Sequence, residues 1–217
     1  MSPRRLLPLL AGLFVLPCLH AAEAAFTFAL TDARGRPVAD AVVSLHPLDQ
    51  AVPPAVEPAP EITIAQRDSE FVPLVVAVRT GARVRFPNED KIQHQVYSLS
   101  AAKRFEVPLH GGNVAPAIPL DQPGVIAVGC NIHDWMRSFV VVLDTSWFAV
   151  SGPDGVARVS APAGRYRREI WHFRLAAPVV DEITLDAATP APAAARLTLR
   201  RDRHPARREP GADATYP

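Results

Sequence analysis

Cysteine is scarce in this sequence, and the scarcity narrows the chemistry that the protein can perform. The 217 residues contain only two cysteines, Cys18 and Cys130. Cys18 lies in an N-terminal segment that we expect to be removed, so Cys130 would be the only cysteine of the mature chain and an internal disulfide is excluded. An unpaired thiol in an oxidising compartment is a liability unless something occupies it. Metal ligation is the use that we predict for Cys130.

The sequence also lacks an excess of charge of one sign, and its long apolar run lies at the N-terminus. The net charge is +1, so we expect neither nucleic acid nor an anionic membrane as a partner. Arg4 and Arg5 precede apolar residues 6–19, and alanines follow, which is typical of a cleavable signal peptide over residues 1–25. The apolar run is too short and too interrupted by proline to span a bilayer. We therefore expect export to a bacterial periplasm, with the mature protein peripheral to the membrane at most.

Helical periodicity and enzyme motifs are absent as well. The chain has 23 prolines, which favour turns and β structure over helices, and its short alternating apolar segments predict an all-β fold. No Gly-rich phosphate loop, nucleophile elbow or HExxH motif is present. We therefore expect that the protein is not an enzyme.

The most informative segment that is present covers residues 129–136, Gly-Cys-Asn-Ile-His-Asp-Trp-Met. It places a thiolate, an imidazole and a thioether at Cys130, His133 and Met136, with two residues in each gap. Apolar residues 125–128 and 139–143 flank it, which predicts two strands joined by a short loop. Thiolate and thioether ligands select soft metals such as copper, and imidazole suits copper too. A second histidine, His94, follows a predicted turn upstream.

These motifs resemble those of the cupredoxins, the blue-copper β-sandwich proteins. The strings FPNED, HQVYSLSAAKRFE and GCNIHDWM are most similar to the methylamine-utilisation, plastocyanin-like and amicyanin-like group. The resemblance covers about residues 62–144 and implies a Greek-key cupredoxin sandwich with one type 1 copper per chain. It also implies His94, Cys130 and His133 as the trigonal ligands and Met136 as the long axial ligand.

The resemblance further implies roles for neighbouring residues. His133 would present its outer edge at the surface as the route for electrons, while His94 is buried. Gln95 and Asn131, which directly follow His94 and Cys130, would form a hydrogen bond that ties the two ligand loops together. Alternatively, both amides could contact solvent or backbone. Trp135 and Asp134 would form a partner surface; alternatively, Trp135 packs beneath the loop. Separately from the resemblance, we hypothesise that the negative charge of Asp134 near the copper stabilises Cu(II) and lowers the potential.

The function that follows is the transfer of single electrons between redox partner proteins. The resemblance suggests a dehydrogenase or a cytochrome as the partner, in methylamine or a related oxidation. The alternative is a copper-binding accessory or storage protein without an electron-carrier role.

The flanking segments resemble a second β-sandwich, of the prealbumin-like kind. The strings DARGRPVADAVVSL and DGVARVSAPAGRYRREIWH carry this resemblance. We predict a smaller sandwich built from residues 26–50 and 145–200, a Pro/Ala linker over 51–61, the copper domain inserted over 62–144, and a disordered Arg/Pro-rich tail over 201–217. Within the second part, residues 189–195 are expected to be a linker and 196–200 a last strand. The rival organisation is one continuous sheet that runs through both modules.

Overall fold

Strands make up the regular structure of the residues that the structure describes. The computed structural model describes residues 23–49, 51–52, 60–112, 116–188 and 193–205, and within these ranges it contains seventeen strands and no helix. No helix in this part of the chain is therefore long and apolar enough to cross a membrane. The predicted all-β fold is confirmed.

The strands fall into three consecutive groups along the chain. The first group is β1 Glu23–Asp32 and β2 Val42–Pro47. The second is β3 Glu61–Thr63, β4 Ala65–Arg67, β5 Glu70–Val72, β6 Val75–Arg79, β7 Arg83–Arg85, β8 His94–Ser100, β9 Lys103–His110, β10 Ile118–Pro119, β11 Gly124–Gly129 and β12 Arg137–Leu143. The third is β13 Trp147–Val150, β14 Val156–Pro162, β15 Gly164–Trp171, β16 Val179–Leu185 and β17 Ala193–Leu197.

The second group builds one sandwich, which we call the inner sandwich (residues 60–144). A five-stranded sheet in the order β6-β12-β11-β8-β9 packs against a three-stranded sheet in the order β10-β7-β3, and β4 and β5 form a separate hairpin. Alternate residues of the strands point between the sheets, as the two-residue period of a strand requires. Val96, Ile126 and Val140 from the larger sheet meet Val84 and Ile118 from the smaller one in a common core.

The first and third groups build the outer sandwich (residues 23–49 and 145–199). Its two sheets have the orders β14-β1-β17 and β13-β2-β15-β16. Phe28, Leu30, Leu45, Tyr166 and Ile170 are fully buried between them. Strands from the two ends of the chain are direct neighbours, because β1 pairs antiparallel with β14 and parallel with β17.

The two sandwiches meet through a third apolar cluster. Val141 and Leu143 of β12 face Val42 of the outer sandwich, while Val140 and Val142 point into the inner core. Both faces of β12 are therefore covered, which explains its unbroken apolar run over residues 139–143. In the described ranges every ladder of hydrogen bonds joins strands of the same sandwich, so the rival organisation with one continuous sheet is not what these residues form.

The structure places several segment boundaries differently from the sequence prediction. Glu23 and the next two residues, assigned to the targeting segment, belong to β1 and pair with β14. Glu61, assigned to the linker, begins β3, and Ala193, also expected in a linker, begins β17. Residues 1–22 and 206–217 lie outside the described residues, so the signal peptide and the greater part of the tail stay predictions.

Candidate metal centre

The loop between β11 and β12 carries three of the predicted ligands. Gly129 pairs with Arg137 across the hairpin, so residues 130–136 form the connection. Cys130 lies at its start and Met136 at its end, and both side chains are buried. The Met136 N–H donates to the carbonyl of His133 at 3.0 Å, which closes a tight turn inside the loop. We call residues 130–136 the ligand loop.

His94 reaches the ligand loop because it begins the neighbouring strand. β8 pairs antiparallel with β11, with Tyr97 opposite Gly129. The Nδ1 atoms of His94 and His133 lie 3.9 and 4.0 Å from the Cys130 sulfur. The ligand atoms of these three residues all lie within 4.8 Å of one another.

These distances fit a single transition-metal ion. Protein sites hold such ions at about 2.0 Å from an imidazole nitrogen and about 2.3 Å from a thiolate, so trigonal ligands lie roughly 3.5–3.8 Å apart. The observed nitrogen–sulfur separations are only slightly larger, and all three residues are buried. The structure thus brings together His94, Cys130 and His133. Met136 is buried at the end of the same loop and lines the same surface depression as Cys130, and its assignment as a fourth ligand stays a prediction.

The surroundings of Cys130 favour its thiolate. Burial by itself raises the pKa of the thiol, but hydrogen bonds from the His94 ring and from the backbone N–H groups of Ile132, His133 and Gln95 outweigh it and hold the pKa below its ordinary value. The Ile132 N–H lies 3.5 Å from the sulfur. Because the thiolate is the form that binds a metal, the loop backbone prepares this ligand.

Asp90 fixes the orientation of His94, a role that was not predicted from the sequence. The Nε2 N–H of His94 donates to the Asp90 carboxylate at 2.8 Å, because a carboxylate can only accept, and Nδ1 is the nitrogen that faces the sulfur. Burial lowers the pKa of His94, and its hydrogen bonds to Cys130 and Asp90 outweigh burial and raise it. A carboxylate on the second nitrogen is the usual support for a metal-binding histidine. The available signal was the spacing, because Asp90 lies four residues before His94 in the segment where the sequence predicts only a turn.

The exposure of the two histidines differs less than the sequence predicted. His94 is 0% exposed, as expected, but His133 is only 7% exposed. The Trp135 ring lies 4.9 Å from the His133 ring, and its indole N–H donates to the Ser69 carbonyl at 3.0 Å. Trp135 also packs against the inner core. The alternative, in which Trp135 packs beneath the loop, therefore describes this residue better than a free partner surface.

The predicted hydrogen bond between Gln95 and Asn131 is wrong for the described structure. The Gln95 side chain donates to Glu106, and Asn131 is exposed. Gln95 contributes through its backbone N–H instead, as described for Cys130. Asp134 is exposed, in agreement with a surface position.

The beginning of the predicted tail lies against the ligand loop. The carboxylate of Asp202 forms a two-pronged ion pair with the Arg137 guanidinium at the start of β12. His204 is half-buried, interacts with the backbone of Trp135, and lines the same depression as Cys130. The prediction of a disordered tail is therefore wrong for residues 201–205, because specific contacts hold them.

Comparisons with known proteins give similarities to solved structures alone. No protein-family model matches the chain, and no match was found among curated proteins. The chain is similar to a Cu-containing nitrite reductase from Thermus scotoductus (25% identity, 45% of this chain and 25% of that chain, TM-score 0.37). It is also similar to a methionine-to-alanine mutant of amicyanin in the Cu(I) form (18%, 46% and 98%, 0.36) and to a purple cupredoxin from Nitrosopumilus maritimus (21%, 39% and 99%, 0.33). Each similarity spans less than half of this chain, and the first spans a quarter of the reductase.

Proposed function

We propose that the protein is a type 1 copper protein that carries single electrons between redox partners. The supporting observation is the convergence of the Cys130 sulfur and two imidazole nitrogens, from His94 and His133, within 4.8 Å of one another in a buried site. A thiolate with two imidazoles and a weak thioether is the ligand set of blue-copper sites, and Met136 is a poor ligand for zinc. Bound copper would supply the one-electron redox chemistry.

The residues around the site hold the ligands in place. Asp90 fixes the His94 ring, backbone N–H groups point at the Cys130 sulfur, and Met136 is anchored by its hydrogen bond to the His133 carbonyl. Ligands that are held before the metal binds cannot rearrange freely when its charge changes. A small rearrangement is what rapid electron transfer requires.

The exposed residues of the ligand segments suggest how a partner would bind. Ile92, two residues before His94, and Ile132, directly before His133, are each 49% exposed. Exposed apolar side chains at a functional end favour a protein partner with an apolar face. In this proposal the partner is a dehydrogenase or a cytochrome, the compartment is the periplasm, and the process is methylamine or a related oxidation. Four protein ligands would leave no open position for a substrate, so we propose a carrier and not an enzyme.

One observation favours the alternative of a copper-binding accessory or storage protein. The His133 ring is only 7% exposed and lies against Trp135, so the imidazole edge offers a partner less contact area than the sequence analysis expected. A thiolate, imidazoles and a thioether also suit Cu(I). In this alternative the change of oxidation state is incidental.

Copper reconstitution separates the two functions. For the carrier we expect one copper per chain, intense visible absorption from thiolate-to-Cu(II) charge transfer, and rapid reversible reduction. Cys130→Ser should abolish the absorption, whereas His46→Asn, a histidine of β2 in the outer sandwich, should retain it. Tight Cu(I) binding without a stable Cu(II) form would favour the accessory role, and no stoichiometric copper would refute both.

A further inference from the structure

The hairpin between β4 and β5 has an unusual turn at the metal-site end. Arg67 pairs with Glu70, so Asp68 and Ser69 alone form the connection. Their φ angles are +54° and +55°, the left-handed values of the type I′ turn that suits two-residue hairpins. Such a turn usually contains glycine, and here neither residue is glycine. A backbone conformation that side chains disfavour is a reason to ask what the turn does.

On one side, the turn binds Asp90, the residue that orients His94. The backbone N–H groups of Asp68 and Ser69 donate to the two oxygens of the Asp90 carboxylate, at 2.7 and 2.9 Å. The same carboxylate accepts from His94 Nε2 at 2.8 Å. Because both of its oxygens are engaged by the turn, the carboxylate cannot rotate without breaking these bonds. The orientation of His94 therefore depends on the turn.

On its other side, the turn binds Trp135, whose ring lies beside the His133 ring. The Ser69 carbonyl accepts from the Trp135 indole N–H at 3.0 Å. The Trp135 ring then lies 4.9 Å from the His133 ring at an angle of 55°. A single residue, Ser69, thus contacts the supports of both histidines, through its N–H on one side and its C=O on the other.

The hairpin is itself fixed to the segment that precedes His94. The Gln66 N–H donates to the Pro87 carbonyl and the Glu89 N–H donates to the Gln66 carbonyl, both at 2.8 Å. The Arg67 guanidinium pairs with the Glu89 carboxylate at 2.7 Å. These bonds bind the turn and the Asp90 segment into one unit.

We propose that the turn formed by Asp68 and Ser69 positions both histidine ligands and couples them to each other, with Asp90 and Trp135 as positioning residues. The functional significance of this inference depends on the proposed metal-binding function, but the coupling itself is a property of the metal-free chain. Its consequence is that a disturbance at one histidine's support reaches the other support through Ser69. The rings of His94 and His133 also contact each other, with centroids 5.0 Å apart. The turn adds a hydrogen-bonded connection between Asp90 and Trp135 through one residue, Ser69.

The metal-free protein provides the first test, by hydrogen exchange measured with NMR. Trp135→Phe retains a ring beside His133 but removes the indole N–H, and we expect the Ser69 amide proton to exchange at least fivefold faster although it bonds to Asp90. Asp90→Asn places an amide donor against the donors of the turn, and we expect the Trp135 indole proton to exchange at least fivefold faster. Trp147→Phe, in the outer core, and Asp121→Asn, in an exposed ion pair with Lys103, should change neither rate.

The coupling is contradicted if each substitution affects only the hydrogen bond that it removes directly and leaves the exchange rate of the proton in the other hydrogen bond unchanged. If either variant fails to fold, the wild-type protein still decides the question. The Ser69 amide and the Trp135 indole proton should then show equal protection, because one opening event exposes both. Protection factors that differ by more than tenfold would contradict the proposal.

The copper-loaded protein provides the second test. Each single variant should release Cu(II) to a chelator at least fivefold faster. The double variant should release it no faster than the faster single variant, because residues that act through one unit are not additive. A double effect equal to the product of the single effects would overturn the coupling. If both variants show the expected exchange changes but the protein takes up no copper, the coupling through the turn is supported and the electron-carrier function is not. The two proposals can therefore fail separately.

Discussion

Side-chain direction decided which single residues of the candidate site the sequence could predict. His94, Cys130 and His133 were predictable because ligand chemistry and spacing identify them without knowledge of the fold. Gln95 was not, because successive residues of a strand point to opposite faces. With His94 fully buried at the start of β8, Gln95 points away from the site and reaches Glu106. Asp90 was missed because its contact with His94 depends on the conformation of the turn between them.

Asp134 permits a prediction at the scale of one residue. It lies in the ligand loop next to His133 and is exposed. Its negative charge should stabilise the higher charge of Cu(II), so Asp134→Asn should raise the reduction potential. Across an exposed separation the effect is roughly 0.5 kcal/mol, or about 20 mV for one electron, and added salt should reduce it.

Voltammetry of the copper-loaded variant at low and high ionic strength measures this shift. Glu182→Gln, an exposed carboxylate on β16 of the outer sandwich, is the matched control and should leave the potential unchanged. A potential for Asp134→Asn that does not rise at low salt would disprove the role of this charge.

At the scale of the element, β12 joins the ligand loop to the rest of the protein. Its first residue, Arg137, pairs with Asp202, and its guanidinium lies 4.8 Å from the centre of the Phe173 ring. The apolar run after Arg137 was predicted as a strand, since hydrophobicity on both faces is visible in the sequence. The contact with Asp202 was not, because an Arg/Pro-rich tail without a core-forming pattern carries no packing signal.

The ion pair between Arg137 and Asp202 gives a prediction for the C-terminal segment. Asp202→Ala should release residues 201–205 from β12, so that trypsin cleaves at Arg201 and Arg203 faster than in the wild type. The free energy of unfolding should fall by only about 1 kcal/mol, because the pair is partly exposed. Limited proteolysis followed by mass spectrometry measures the first effect and urea denaturation the second.

Glu182→Ala, which removes an exposed partner of Arg165, is the control for this experiment. It should leave the cleavage rate at the C-terminal sites unchanged. Equal cleavage of Asp202→Ala and wild type would show that the ion pair does not hold the segment.

The strand β17 shows where composition misled at the same scale. Ala193, Ala194 and Ala195 have low strand propensity and follow prolines, and they were expected in a linker. They instead form a parallel ladder with β1, from Phe28 opposite Ala193 to Asp32 opposite Leu197. Parallel pairing over such a sequence distance leaves no local pattern, so propensity alone could not find it.

At the scale of the whole molecule, His172 makes stability depend on pH. It is buried at the end of β15, and its Nδ1 accepts from the Arg174 N–H at 3.1 Å. Burial, followed by the positive charge of Arg174, lowers the pKa of His172 to about 4. Between about pH 6.5 and 4, this histidine binds a proton in the unfolded chain, where its pKa is near 6.5, but stays neutral in the folded chain. The stabilisation is therefore complete above about pH 6.5 and is lost as the pH falls towards 4.

The expected loss from this residue over that interval is about 3 kcal/mol at most. His172→Asn keeps an acceptor near the Arg174 N–H but does not titrate, so its free energy of unfolding should change less between pH 6.5 and 4 than that of the wild type. Urea denaturation at several pH values measures both slopes. Parallel slopes in the two proteins would show that His172 is not responsible.

The placement of β1 has a consequence for the order of assembly during synthesis. This strand is made early, yet its neighbours β14 and β17 follow more than a hundred residues later, after the entire inner sandwich. The inner sandwich can close as soon as β12 has emerged, whereas β1 must wait with unpaired backbone edges that invite association with other chains. A chain truncated after residue 144 should therefore combine a complete candidate metal site with an unpaired N-terminal strand, because β14 and β17 are the strands that cover β1 and limit its association with other chains.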